Sequence, residues 1–167
     1  MMGSAKICHC FRRLLENDHE LNAYQSLREE AAEAFQPEAD WTDPGALQKL
    51  VRINSTIRES LRHSPLAVRG VLREVMPKDG LTLPDSKNFA RGTWSGVPVQ
   101  ALQVDDRFYE RPEEYDPFRF AKTAGDTERL EAIQISGIFL SFSYGRTAWL
   151  VILLFPVLIL VASAAVE

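Results

Sequence analysis

Residues 107–120 read RFYERPEEYDPFRF, a charged and aromatic stretch interrupted by two prolines. It predicts irregular structure, with one short helical turn at 111–114. Upstream, Glu59 and Arg62 belong to an ESLR motif, and their three-residue spacing places them on one face of a predicted helix, where they can pair. Downstream, residues 142–148 read FSYGRTA. The ESLR spacing is weak by itself and no single motif is decisive, so the order of the three along the chain is the most informative signal.

The composition is that of a globular protein. The chain has 167 residues, of which 46% are hydrophobic and 25% charged, enough for one domain with a sizeable core. These values exclude a disordered, collagenous or disulfide-framework chain. The net charge of −4 argues against a strongly basic surface, so we expect no nucleic-acid partner. Cys8 and Cys10 are too close for a relaxed disulfide and lack further ligands at zinc-site spacing, so no metal site is predicted there.

Two helices are predicted in the first part of the chain, and the second of them contains the ESLR motif. Apolar residues recur at three- and four-residue steps from Asn17 to Phe35, with Asn17 or Asp18 as the N-cap. A second helix starts at Pro44, after Asp43 as its cap, and should end before Pro65. The ESLR motif therefore lies in the last turns of the second helix.

Between residues 66 and 102 the apolar pattern changes to short strands separated by turns at 78–80 and 84–86. Pro98 predicts an edge strand or a strand end. The expected strand residues are Val68, Val71, Val75, Leu81, Leu83, Trp94, Val97, Val99 and Ala101. Together the patterns predict a mainly helical α+β fold with a small sheet.

In their order and spacing, the motifs resemble the C-terminal third of a cytochrome P-450, a haem-thiolate monooxygenase. Their amino-acid sequences are most similar to those of fungal members. The resemblance covers about residues 21–148. It implies the J and K helices, a small sheet and a meander, followed by an apolar C-terminal helix. We therefore expect an unassigned N-terminal segment at 1–16, a partial P-450 domain at 17–148 and an apolar tail at 149–167.

The resemblance implies a structural clamp made of Glu59, Arg62 and Arg119. The first two match the acid–base pair of the K helix, and Arg119 matches the arginine of the meander. A carboxylate between two guanidinium groups accepts bidentate, charge-assisted hydrogen bonds, which would fix a region with little regular backbone pairing. The expected role is structural and not catalytic.

The resemblance also implies haem-binding positions at Arg73, Phe142, Gly145 and Thr147. Arg73 matches a residue that contacts a haem propionate, and an exposed strand arginine is the alternative. Thr147 departs from the basic residue of the family motif. The position of the iron-ligating cysteine is occupied by Trp149, whose indole has no lone pair to offer a metal. No metal ligand is therefore predicted.

By resemblance the function is haem-dependent insertion of one oxygen atom from dioxygen into a small organic substrate, with electrons from an NADPH-dependent reductase. The missing cysteine and the absence of a recognisable distal helix lead us to expect a truncated, inactive chain. The competing hypothesis is a non-enzymatic, membrane-tethered interaction protein.

Residues 148–166 carry no charge and are long enough to cross a bilayer as a helix. Trp149 would lie near the interface and Arg146 outside it, with the domain in the cytosol at a membrane such as the endoplasmic reticulum. A translated intron or a shifted reading frame is the alternative origin of this tail.

Overall fold

A computed structural model of the chain describes residues 2–35, 44–65, 68–122 and 136–144. Within these ranges the chain forms six helices and four short strands. In chain order they are α1 (Met2–Leu21), α2 (Ala23–Ala34), α3 (Pro44–Lys49), α4 (Val51–His63), β1 (Gly70–Glu74), β2 (Leu81–Thr82), β3 (Asn88–Phe89), β4 (Trp94–Val97), α5 (Val99–Gln103) and α6 (Arg119–Lys122). The mainly helical α+β fold with a small sheet is confirmed.

Helix α4 lies at the centre of the fold and contacts α1, α2, α5 and α6. Its apolar side packs with α1, α2 and the segment after residue 136. The shared core includes Leu14, Leu27, Ile53, Ile57, Leu61, Phe139 and Phe142. Polar residues of the helix are buried as well, namely Ser55, Thr56, Arg58, Glu59, Ser60 and Arg62. Because a polar group removed from water needs a hydrogen-bond partner, α4 must bind other segments through these side chains.

The prediction of one helix from Asn17 to Phe35 is wrong, because α1 already begins at Met2 and α2 begins after a break at Asn22. Asn22 adopts a left-handed conformation with φ 47° and ψ 36°, which asparagine tolerates better than most residues. The carboxylate of Asp18 accepts a hydrogen bond from the main-chain N–H of Tyr24 at 2.8 Å. Asp18 therefore stabilises the start of α2 from within α1.

The second predicted helix is also divided, into α3 and α4, with Leu50 between them at φ −76° and ψ 62°. The new helix start is capped from a distance. The carboxylate of Glu30 in α2 accepts hydrogen bonds from the main-chain N–H groups of Arg52 (2.7 Å) and Ile53 (2.8 Å). These donors have no partner inside a helix, so a carboxylate there stabilises the first turn.

The sheet region consists of two antiparallel pairs, β1 with β4 and β2 with β3. The turn predicted at 84–86 lies between β2 and β3. The register between β1 and β4 shifts between Gly70 and Arg73, where Val71 has a positive φ of 52°. The strand predicted to include Val99 and Ala101 is wrong, because these residues lie in α5. Pro98 ends the strand, and its carbonyl accepts the N–H of Leu102 at 3.1 Å, as a helix start requires.

The predicted apolar helix at 148–166 lies outside the described residues. Gly145, Thr147 and Trp149 lie outside them too. Across the ranges that the structure describes, no helix combines the length and the apolar character needed to cross a bilayer.

Candidate functional site

Glu59 and Arg62 form a fully buried ion pair one turn apart on α4, and both side chains have zero exposure. Arg62 Nε donates to Glu59 Oε2 at 2.7 Å, and Arg62 Nη2 donates to Oε1 at 2.8 Å. Two parallel charge-assisted bonds fix the orientation of both groups. The pairing follows from the helical spacing alone, because residues i and i+3 share a face.

Arg119, the first residue of α6, reaches the same carboxylate. Its Nε donates to both oxygens of Glu59, each at 3.2 Å. The main-chain N–H of Asp116 adds a bond to Oε1 at 3.1 Å. Glu59 is therefore held between two guanidinium groups and tied to the backbone just before α6. The structure thus brings Glu59, Arg62 and Arg119 together, and we call this group the Glu59 cluster.

The two arginines also bind main-chain carbonyls at the end of α5 and in the irregular segment 110–114. Arg62 donates to the carbonyls of Gln103 (2.7 Å), Pro112 (2.9 Å) and Glu114 (3.3 Å), and Arg119 donates to those of Glu110, Arg111 (3.2 Å) and Glu114 (2.9 Å). A segment without regular secondary structure must satisfy its buried carbonyls elsewhere. The arginines supply those donors, so they replace the backbone ladder that this segment lacks.

Aromatic rings line the cluster. Arg62 lies over the ring of Tyr109 at 5.1 Å from its centroid, and burial raises the pKa of the Tyr109 phenol. Arg58 lies over Phe139 at 4.1 Å and over Phe120 at 5.0 Å. Desolvation lowers the pKa of Arg58 to about 10, while the negative faces of the two rings favour the cation. The cations of α4 thus contact both α6 and the segment that contains Phe139.

The Glu59 cluster can hold backbone in place, but it cannot act on a dissolved substrate. Glu59 has no exposed surface, and each of its oxygens already accepts hydrogen bonds from two or more donors. A general base needs access to the proton that it removes. The geometry therefore supports a scaffolding role.

Of the predicted haem-binding residues, the structure describes Arg73 and Phe142, and both lie outside the Glu59 cluster. Arg73 is exposed on β1, where its guanidinium donates to the carbonyls of Leu72 (2.8 Å) and Tyr144 (3.3 Å). Phe142 is buried and packs against Phe139, with ring centroids 6.4 Å apart. The contact to Tyr144 joins β1 to the FSYGRTA motif.

The donor set of this chain does not fit a thiolate-ligated haem. By the resemblance of the motifs, the position of the cysteine falls on Trp149, and an indole offers no lone pair to iron. The chain has two cysteines, and both lie in α1. Cys8 is exposed and Cys10 is buried. Over the described part of the chain, no three His, Cys, Asp or Glu side chains are grouped to hold a metal ion.

Sequence reasoning missed several residues around the cluster. Ser55 and Arg58 stand on α4 within one turn of Glu59, so their polarity inside a largely buried helix was an available signal. Gln103 is fully buried, and its side-chain amide contacts Ser141 Oγ at 2.9 Å. Nothing in the apolar run around Gln103 indicates that contact, because it depends on a segment 38 residues further along.

The described residues form a helical domain with a small sheet and a buried Glu–Arg–Arg cluster, and comparison with known proteins identifies the family. The family described as cytochrome P-450 matches residues 6–148. The chain belongs to the cytochrome P-450 family. The matched region begins inside the N-terminal segment to which the motifs assigned no role.

Characterised fungal relatives agree with this assignment. The chain is 42% identical over 155 residues to the cytochrome P-450 monooxygenase polB of Polytolypa hystricis. This alignment covers 86% of the present chain and 29% of polB. It is 42% identical over 149 residues to nodZ of Hypoxylon pulicicidum (81% and 29%), and 38% identical over 138 residues to efuH of Hormonema carpetanum (77% and 24%). The chain thus spans less than a third of the length of these relatives. Members of the family use haem, and they generally work with a reductase on small organic substrates.

Proposed function

We propose that this chain is the scaffold portion of a haem monooxygenase, a class of enzyme that inserts one oxygen atom of dioxygen into a small organic substrate with electrons from an NADPH-dependent reductase. The observation that supports the proposal is the Glu59 cluster. Its two arginines bind main-chain carbonyls from Gln103 to Glu114, a region that has no sheet to pair with. The role of the chain is to present this region and the FSYGRTA motif in a fixed arrangement.

The cluster reaches the FSYGRTA motif through short steps. The Gln103 carbonyl accepts from Arg62, and the Gln103 side chain contacts Ser141. Ser141 Oγ in turn donates to the carbonyl of Leu61 at 3.1 Å. Residue 141 immediately precedes Phe142. Helix α4 therefore contacts the start of the motif directly through Leu61 and indirectly through Arg62 and Gln103.

The second part of the proposal is that this chain alone performs no turnover. By the resemblance, the residue at the ligand position is Trp149, and Val151, two residues further on, occupies the position of the glycine that follows the cysteine in the family motif. Without a thiolate, the electronic push that favours cleavage of the O–O bond is lost.

The test is to express residues 1–167 with haem supplied, reduce the sample and add carbon monoxide. We expect no red-shifted Soret band of the kind that thiolate ligation produces. The Trp149→Cys variant restores the thiol and should still give no such band, because Val151 keeps a side chain at the glycine position. A thiolate-type band from the unmodified chain would refute the absence of ligation, and a band from Trp149→Cys would show that the missing thiol is the whole defect.

The uncharged run at 148–166 favours a second candidate, a membrane-tethered protein without enzymatic activity. Fractionation of cells that express residues 1–167 or residues 1–147 distinguishes the two. Tethering predicts that the long form pellets with membranes and resists high salt, while the short form stays in the supernatant. Equal partitioning of the two forms would exclude the tether.

A further inference from the structure

Ser55 is a buried serine of α4, 2% exposed, that contacts the backbone on both sides of Arg119. Its hydroxyl donates to the carbonyl of Pro117 at 2.8 Å. The same oxygen accepts the main-chain N–H groups of Phe120 and Ala121, each at 3.1 Å. One side chain thus binds three backbone groups of the segment 117–121.

These contacts reproduce the geometry of a helix N-cap, but the capping group comes from another helix. An N-cap side chain normally accepts from the second and third N–H groups of its own helix. Helix α6 starts at Arg119, so the N–H groups of Phe120 and Ala121 are those two donors. The residue at the cap position is Phe118, whose side chain has no acceptor, and Ser55 supplies the side-chain oxygen instead. The main-chain carbonyl of Phe118 also accepts the N–H of Ala121, at 3.0 Å.

Ser55 and Glu59 are four residues apart, so they lie on one face of α4. Ser55 holds the backbone of α6, while Glu59 holds the side chain of Arg119 and the N–H of Asp116. Two-point attachment leaves no freedom for α6 to rotate or slide along α4. A shift by one residue would carry the Arg119 guanidinium away from the carboxylate.

We propose that Ser55 is the positioning residue that sets Arg119 on Glu59. It makes no contact with the carboxylate, and it acts by fixing the first turn of α6. This inference rests on the scaffolding role proposed above, since the position of Arg119 matters because it holds the segment before α6.

The chain offers a matched control in Ser60. It is a fully buried serine on the same helix, and its hydroxyl bonds the Tyr115 hydroxyl at 2.9 Å instead of the backbone of α6. Ser55→Ala and Ser60→Ala each delete one buried hydroxyl. A difference between them therefore reports the contact with α6 and not the loss of a buried polar group.

Amide hydrogen exchange gives the first readout. In Ser55→Ala we expect the amides of Phe120 and Ala121 to exchange about tenfold faster, the effect of losing a typical helix cap. In Ser60→Ala these two amides should keep their rates within about twofold. Ser55→Thr retains the hydroxyl and should restore slow exchange. Equal rates at Phe120 and Ala121 in the two alanine variants would overturn the proposal.

The side-chain Nε–H signals of the two cluster arginines give a second readout, one that a general loss of stability does not produce. Arg62 stands on α4 and keeps its pairing with Glu59 whatever α6 does. In Ser55→Ala we expect the Arg119 Nε–H signal to exchange faster, while the Arg62 Nε–H, which keeps its own bond to Glu59, retains its slow exchange even if its chemical shift changes. If both signals respond alike, Ser55 is a general core residue and the assignment fails.

The unmodified chain provides a test that needs no variant. Its Phe120 amide should be protected as strongly as the amide of Ile57 in the middle of α4, because the bond from Phe120 to Ser55 opens only when α4 and α6 separate. Rates typical of exposed amides would overturn the proposal even if Ser55→Ala did not fold. The haem test above is independent of this result, so the two proposals can fail separately.

Discussion

Helix α4 and the sheet formed by β1 and β4 follow each other along the chain but are built in opposite ways. In α4, nine of thirteen residues are buried, and six of those nine carry polar or charged side chains, namely Ser55, Thr56, Arg58, Glu59, Ser60 and Arg62. In the sheet, β1 has no buried residue, and Leu72 and Trp94 are 55% and 64% exposed. A helix satisfies its own backbone, so its side chains can bind the backbone of other segments. A two-stranded sheet pairs its backbone and leaves its side chains at the surface.

The difference predicts that the same substitution has very different effects in the two regions. Glu59→Ala removes the carboxylate from between two guanidinium groups and should lower the free energy of unfolding by about 3–5 kcal/mol, since it leaves buried charges uncompensated. Glu74→Ala, at an exposed site on β1, should change it by less than about 0.5 kcal/mol. Urea unfolding followed by circular dichroism measures both values. Similar losses at the two sites would contradict the central role given to α4.

Family motifs predicted which residues meet at α4, and local patterns failed where the deciding contact was distant. Glu59 and Arg119 are 60 positions apart, and only the order of the motifs linked them. The break at Leu50 could not be predicted, because its cap is Glu30 on another helix. The break at Asn22 depends on a left-handed conformation that the apolar period does not encode. Val99 is β-branched and was therefore predicted in a strand. In the structure it is buried as the first residue of α5, directly after Pro98 ends the strand.

Glu30 allows a smaller test at the other end of α4. Burial raises the pKa of its carboxyl above the ordinary value of 4.5, although the N–H groups of Arg52 and Ile53 oppose that shift. A carboxyl with a raised folded-state pKa binds its proton more tightly in the folded state than in the unfolded state. Its titration therefore stabilises the fold fully below pH 4.5, and that contribution is lost as the pH rises through the raised value.

Glu30→Gln has no titrating group, so it isolates this effect. The free energy of unfolding of the native chain should exceed that of Glu30→Gln by more at pH 4 than at pH 7. Glu30→Ala should in addition destabilise the chain by about 1 kcal/mol at pH 7, because the N–H groups of α4 lose their acceptor. Glu29→Gln, at a neighbouring exposed position of α2, serves as the control for removing one negative charge. A relative stability that increases between pH 4 and pH 7 would mean that the backbone bonds outweigh desolvation.

The smallest effect is expected where the chemistry of the Glu59 cluster is repeated at the surface. Asp105 accepts bonds from the Arg107 guanidinium at 2.6–3.1 Å and from its main-chain N–H at 3.0 Å. These bonds lower the pKa of Asp105 to about 2 from the ordinary 3.8. A depressed folded-state pKa means that the stabilising contribution is present above pH 3.8 and is lost as the pH falls through about 2.

The Arg107 side chain is 75% exposed, so water and salt screen the pair, and its contribution to folding should be too small to detect at neutral pH. An NMR titration of the Asp105 carboxyl carbon should nevertheless show a midpoint near pH 2 in the native chain and a higher one in Arg107→Ala. The urea midpoint at pH 7 should be the same for both chains. If Arg107→Ala destabilised the chain as much as Glu59→Ala does, burial would not distinguish the two carboxylate–guanidinium pairs. The contrast between the α4 region and the surface would then have to rest on bond geometry alone.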